Sequence, residues 1–220
     1  MTRKGCITTL AVAFGALWTV LAIAPYDRAD WALENVLTVA AIGVLVATRR
    51  VLPLSNASYG LLFAFLCLHA VGAHYTYSLV PWDEALRSMS GASLSEVFGA
   101  TRNHYDRVVH LAYGLLLVLP LREWLMRHAG VRGFWSYFLP MDVVLSTSAL
   151  YELIEWAAAL LFGGGLGVAF LGTQGDEWDT HKDMALAALG ALIATLAIWA
   201  LNRARGRDVT LEWLRRTGGA

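Results

Sequence analysis

Residues 183 to 201 read Asp-Met-Ala-Leu-Ala-Ala-Leu-Gly-Ala-Leu-Ile-Ala-Thr-Leu-Ala-Ile-Trp-Ala-Leu, with one charge, at the first position. An α-helix rises about 1.5 Å per residue and the hydrocarbon core of a bilayer is about 30 Å thick, so this run is near spanning length. The whole chain is 57% hydrophobic and 15% charged. Because soluble domains carry about 25% charged residues, we predict an integral membrane protein.

Five further apolar runs precede this one. The predicted helices cover residues 7–24, 31–48, 57–74, 107–121, 134–162 and 183–201. The first run is longer than the apolar part of most signal peptides and is followed by Pro25, so we predict a retained span. The expected fold is an all-α, polytopic bundle of six transmembrane helices. It forms a single transmembrane domain over 1–220, with a short amphipathic tail at 203–220 on the cytoplasmic surface.

The positions of the basic residues predict the orientation. Twelve Lys and Arg lie in the amino tail, the second and fourth connections and the carboxyl tail, and five lie in the other connections. Because short cytoplasmic segments carry the excess of Lys and Arg, both termini are predicted to be cytoplasmic. The formal net charge is zero, which gives no support for a nucleic-acid partner.

A polar block lies directly before the last span. Residues Leu171–Met184 read Leu-Gly-Thr-Gln-Gly-Asp-Glu-Trp-Asp-Thr-His-Lys-Asp-Met. If these turns are helical, Asp176, Asp179 and Asp183 fall on one stripe, where three carboxylates repel each other unless a cation lies between them. The alternative is helix-start chemistry, since Thr180 with Asp183 fits a capping box and acids favour a first turn.

Other acids and histidines fall at the same, extracytoplasmic ends of the predicted helices. Asp106 and His110 are four residues apart, and Glu152 and Glu155 are three apart, so each pair projects from one helical face. Carboxylates mixed with imidazole suit Zn, Mn or Fe. We therefore predict one divalent metal ion. Its predicted ligands are His74, Asp106, His110, Glu152, Glu155, Asp176, Asp179 and Asp183.

Simpler interpretations stay open for some of these residues. Asp106 is a fair first-turn acid and could pair with Arg102 or Arg107. Glu34, at the start of the second predicted helix, could be exposed to water. The two glutamates of the fifth run resist such an explanation, because acids within an apolar helix need partners.

Four motifs carry a resemblance to a known family. They are His74-Tyr75-Thr76-Tyr77, Asn103-His104-Tyr105-Asp106-Arg107 with His110, Tyr151-Glu152-Leu153-Ile154-Glu155-Trp156, and the block that ends at Met184. With these motifs the chain resembles the YjdF-type bacterial inner-membrane proteins. The resemblance covers most of the chain and implies a multi-pass protein of the bacterial inner membrane. It leaves the mechanism open.

The pattern favours a membrane-embedded, metal-dependent enzyme. We expect a hydrolase that acts on a lipid or lipid-linked substrate at the extracytoplasmic side of the bilayer. Glu152 or Glu155 would act as general base, and Arg107 would stabilise developing negative charge. One alternative is a proton- or ion-coupled carrier of small molecules that uses the same acids and histidines as ion sites. Another is a structural assembly protein whose polar cluster only locks helices together.

Overall fold

The computed structural model describes residues 2–51, 53–92, 102–164, 167 and 172–217. In chain order the helices are α1 (Arg3–Leu21), α2 (Arg28–Thr48), α3 (Asn56–His74), α4 (Trp82–Ser90), α5 (Tyr105–His128), α6 (Trp135–Phe162), α7 (Asp179–Ala204) and α8 (Val209–Arg216). Six of them, all but α4 and α8, are long and apolar enough to cross a membrane. This confirms the prediction of an all-α, polytopic bundle. The cytoplasmic placement of both termini stays a prediction.

Caps extend the first three spans beyond the apolar runs. The side chain of Thr2 accepts a hydrogen bond from Gly5, that of Asp27 from the first amides of α2, and that of Ser55 from Ser58. A side-chain oxygen at this position satisfies a backbone N–H that the helix itself leaves without a partner. These helices therefore begin before residues 7, 31 and 57, where hydropathy alone had placed their starts.

The fourth span continues well past its expected end at residue 121. Arg122 and Glu123 lie inside α5 and are buried. Each has a polar partner that compensates for the loss of water. Glu123 accepts a hydrogen bond of 2.8 Å from the backbone amide of Ser55, and Arg122 forms an ion pair of 2.5 Å with Asp208. Charged residues lower the hydropathy, so the predicted span ended before Arg122. Because both charged residues are paired, they lie within the helix.

The packing of α5 against α7 sets the position of the polar groups at their amino-terminal ends. A Cβ added at Gly114 would lie 2.6 Å from the backbone nitrogen of Ala191 and closer still to the carbonyl of Ala187. Gly190 approaches the backbone of α5 in the same way. The two parallel helices therefore touch backbone to backbone. This contact brings the first turns of α5 and α7 together.

The carboxyl tail forms a helix that packs on the bundle. Within the expected tail of 203–220, α7 continues to Ala204 and α8 covers Val209–Arg216. Leu214 is fully buried, and the Arg127 guanidinium lies 5.1 Å from the ring centre of Trp213. The tail thus contains a helix that packs against α5, and its position on the cytoplasmic surface stays a prediction. Residues 218–220 lie outside the described part of the chain.

Candidate functional site

Three of the predicted ligands converge between α5 and α7. Asp106, His110 and Asp183 each bring one ligand atom within 4.8 Å of the others. Asp106 and His110 lie one turn apart on α5, with 3.6 Å between Oδ1 and Nε2. Asp183 enters from the first turns of α7, where its side chain is buried and its Oδ1 has no hydrogen-bond partner.

Glu152 of α6 approaches the same imidazole from another side. Its Oε1 lies 3.6 Å from Nε2 of His110, and no hydrogen bond satisfies this oxygen. The residue is only 7% exposed. Buried polar atoms are nearly always hydrogen-bonded, so two oxygens without partners around one histidine require an explanation. A cation or protons among these oxygens would supply one.

Asp176 and Asp179 are held by basic side chains of the protein. Arg102 contacts both carboxylate oxygens of Asp179, and one of these two contacts measures 3.2 Å. Arg107 bonds Asp176 and lies 3.4 Å from Asp179, while Lys182 lies 2.6 Å from Asp176. The two carboxylates predicted as ligands are therefore paired with basic side chains, beside the three converging residues. We call this set of five charged residues the rim: Arg102, Arg107, Asp176, Asp179 and Lys182.

The charge state of this rim follows from its contacts. The hydrogen bond from Lys182 lowers the pKa of Asp176 to about 2, and bonds from the backbone amide of Trp178 and from Arg107 act in the same direction. The opposing effect of desolvation is smaller. Asp176 is therefore ionised throughout the physiological pH range, and the rim carries fixed charges of both signs.

The two remaining predicted ligands differ in their surroundings. Nδ1 of His74 lies 2.7 Å from the carbonyl oxygen of Leu21, so this ring ties α3 to the end of α1. Glu155 lies within electrostatic range of Asp106 and Glu152. The structure thus brings Glu155 to the neighbourhood of the converging residues and pairs His74 with the backbone of another helix.

Helix α2 adds acids that the sequence did not assign to the site. Glu34 is buried and accepts a hydrogen bond of 3.3 Å from the hydroxyl of Tyr151 on α6. Asp30, one turn before it, is 1% exposed, and neither of its carboxylate oxygens has a hydrogen-bond partner. Their spacing of four residues was a signal for a shared face. We call the following set the acidic cluster: Asp30, Glu34, Asp106, His110, Glu152, Glu155 and Asp183.

The acidic cluster borders a cavity of about 340 Å³ between α2, α3, α5 and α6. Asp106, His110 and Tyr151 line it at the end near the cluster. Leu62 and Leu117 line the other end, deeper in the bundle. Ionisable groups are therefore concentrated at one end of a cavity whose deep end is apolar.

Comparison with known proteins agrees with this architecture. The family described as predicted membrane protein (DUF2238) matches residues 6–204. The chain is 39% identical over 191 residues to the Inner membrane protein YjdF of Escherichia coli (strain K12), covering 86% of this chain and 87% of the relative. No solved structure matches the chain. The resemblance seen in the four motifs is confirmed, and this multi-pass inner-membrane protein belongs to the DUF2238 family.

Proposed function

We propose that the protein is a membrane-embedded, metal-dependent hydrolase that acts on a lipid or lipid-linked substrate at the extracytoplasmic side. One observation carries the proposal: Asp183 and Glu152 are buried near His110, and each has a carboxylate oxygen without a hydrogen-bond partner. Burying an ionised carboxylate is unfavourable unless the charge is paired. A divalent cation held by these residues would provide that pairing.

The chemistry of the donors fits such an ion. Asp106, His110 and Asp183 supply two oxygens and one nitrogen, a set that suits Zn, Mn or Fe. Ligand atoms at about 2.0–2.2 Å from zinc can be at most about 4.4 Å apart. Since the donor atoms lie within 4.8 Å of one another, small side-chain shifts would close the site. When bound, an ion of this kind polarises an ester or phosphoester and activates water at neutral pH.

Three residues would take part in the proposed hydrolysis. Glu152, with its unpartnered oxygen beside His110, would accept the proton from the attacking water. Glu155, one turn away on the same helix, is the alternative base. Arg107 uses one guanidinium nitrogen for Asp176, while its buried Nε has no hydrogen-bond partner. That N–H could donate to an oxygen on which negative charge develops.

The surroundings of the cavity favour an enzyme over the two alternatives. A carrier needs a polar route to the opposite face, but Leu45, Leu62 and Leu117 line the deep end of the cavity. The charged residues beyond them, Arg122 and Glu123, are already paired. A cluster that only locked helices together should have its hydrogen bonds satisfied.

Turnover of lipid tests the proposal. The purified protein is reconstituted into vesicles of a bacterial inner-membrane lipid extract, and the lipids and released products are followed by mass spectrometry. We expect metal-dependent hydrolysis that a chelator abolishes and Zn, Mn or Fe restores. Glu152→Gln should slow it about 100-fold or more, since general bases contribute on that order. Asp142→Asn is the control, at an exposed position of the same helix.

The control should retain the activity of the wild type. Two results would contradict the proposal. One is the absence of any lipid turnover by metal-loaded wild-type protein. The other is equal turnover by wild type and Glu152→Gln.

A further inference from the structure

We infer that the cavity holds one hydrocarbon chain of a membrane lipid, which enters sideways between α2 and α6 with its head group at the acidic cluster. The inference rests on the proposed function, which places the reacting head group at the acidic cluster. It adds where the hydrocarbon chain of the substrate is bound. The cavity volume of about 340 Å³ lies within the range of roughly 300–1,000 Å³ that small-molecule sites occupy.

The wall of the cavity is continuous with the lipid-facing surface. Leu37 of α2 and Leu150 and Ile154 of α6 all line the cavity. They are also 40%, 55% and 39% exposed. All three lie within spanning helices, where exposed apolar side chains contact lipid chains and not water. A lipid chain can therefore reach the cavity from the bilayer without passing through water.

The arrangement of the helices leaves this entrance open. Helix α2 packs against α3, whereas α6 packs against α5 and α7. Near the cluster the hydrogen bond from Tyr151 to Glu34 links α6 with α2. Deeper in the membrane, the cavity is lined by Ala41 of α2, a small and exposed residue. A gap bounded by a small residue can admit a chain of methylene groups.

The length of the cavity matches one leaflet. Asp106 and Leu117 line it at opposite ends of one wall on α5. At about 1.5 Å per residue, this wall is about 16 Å long. Half of a hydrocarbon core of about 30 Å is about 15 Å. A lipid whose head lies at the acidic cluster would thus extend its chain to the deep end, beside Leu45 and Leu62.

Photo-crosslinking of the full-length protein in nanodiscs tests the inference. One probe is a phosphatidylglycerol with a diazirine near the end of an acyl chain, and the other is a polyisoprenyl phosphate with the same group. We expect at least one probe to label Tyr113 or Leu117 inside the cavity. Ala41→Phe should abolish this labelling by filling the entrance. Val44→Phe is the control, because Val44 is exposed on the same helix and does not line the cavity.

Labelling by the acyl probe identifies a phospholipid chain, and labelling by the isoprenoid probe identifies a lipid-linked chain. Either result supports the inference. Labelling confined to outward-facing residues, or labelling of the cavity that survives Ala41→Phe, would overturn it. Chain binding without metal or turnover would contradict the proposed function alone, whereas turnover without labelling would contradict this inference alone.

Discussion

The bundle carries buried polar groups at both ends, and the two ends are built in opposite ways. At one end lies the acidic cluster. At the other lies what we call the arginine end: Ser55, Arg122, Glu123, Ser136, Tyr137, Asn202 and Asp208. There, the Arg122 guanidinium donates to the Ser136 carbonyl and hydroxyl at 3.1 Å and to Asp208 at 2.5 Å. It also lies 4.5 Å from the ring centre of Tyr137.

The neighbours of Arg122 are equally well paired. Glu123 binds the backbone amide of Ser55, and Asn202 donates to the hydroxyl of Tyr137 at 2.8 Å and accepts from the amide of Val209. In the acidic cluster, by contrast, Asp30, Glu152 and Asp183 have oxygens without partners. Satisfied buried networks stabilise a fold, while unsatisfied ones are more typical of functional sites. This difference supports a stabilising role for the arginine end, and it agrees with the ligand site that we propose at the acidic cluster.

Breaking the arginine end should have the largest effect on stability. Asp208→Asn leaves Arg122, which is 0% exposed, without its counter-charge. Removing one partner of a buried ion pair costs about 3–5 kcal/mol, so we expect a loss of that order in the free energy of unfolding, measured in detergent. Glu212→Gln is the control, since it removes only the more exposed pair with Arg207. A variant Asp208→Asn as stable as wild type would contradict a structural role.

The same pair predicts a pH dependence. Partial burial opposes ionisation of Asp208, but its hydrogen bonds with Arg122 and the Leu211 amide outweigh this effect and lower its pKa. A lowered pKa in the folded state adds stability above the ordinary value of about 3.9, and this stability is lost as pH falls below it. Unfolding measurements on wild type and Asp208→Asn should therefore converge in acid and differ at neutral pH.

Separating the helices that carry the cluster should have an intermediate effect. Gly114→Ala places a Cβ against the backbone of α7. Overpacking of this kind costs about 1–3 kcal/mol, and pushing α5 from α7 should also weaken zinc binding measured by titration calorimetry. Gly43→Ala is the control, because no atom lies within 4 Å of the new Cβ. It should leave zinc binding unchanged, and the stability should be unchanged or slightly higher. If Gly114→Ala left zinc binding unaltered, the metal site would not depend on the packing of α5 against α7.

A substitution within the acidic cluster should act in the opposite direction. In the presence of a chelator, Asp183→Asn removes one of several mutually repelling buried acids, and we expect stability to rise by about 1 kcal/mol. Added metal should stabilise wild type and not the variant. Asp142→Asn is the control and should respond to metal as wild type does. A loss of stability in metal-free Asp183→Asn would contradict the contrast between the two ends.

The smallest effect is expected at the rim. Lys182→Met removes one cation from Asp176 while Arg107 stays in place. Because surface ion pairs contribute little and are screened, we expect a slight fall in the melting temperature that disappears in high salt. With the pKa of Asp176 near 2, the contribution of this pair should be constant above about pH 4 and lost only as pH falls through 2. A change between pH 5 and 8 would argue against this pairing.

The sequence predicted the helices better than it predicted the partners of their side chains. Each span is a continuous apolar run, so its existence follows from local composition. The proximity of Asp106 and His110 likewise follows from helical spacing. The pairing of Asp179 with Arg102 links residues that are 77 apart in the chain, and no periodicity reveals it.

Long-range packing also decided which acids converge. Asp183 lies near His110 in a bundle where α5 and α7 approach closely at Gly114 and Gly190, two glycines that hydropathy does not distinguish from others. Asp30 was not assigned because it precedes residue 31, where hydropathy placed the start of the second helix. Its burial becomes evident only in the folded bundle.

Metal stoichiometry tests the central claim most directly. Wild type, Asp183→Asn and Asp142→Asn are purified in detergent and analysed by inductively coupled plasma mass spectrometry. We predict about one Zn, Mn or Fe ion per chain in wild type and Asp142→Asn, and much less metal in Asp183→Asn, because this substitution removes one of three converging protein ligands. Wild-type protein without stoichiometric metal, or equal metal in Asp183→Asn, would contradict it.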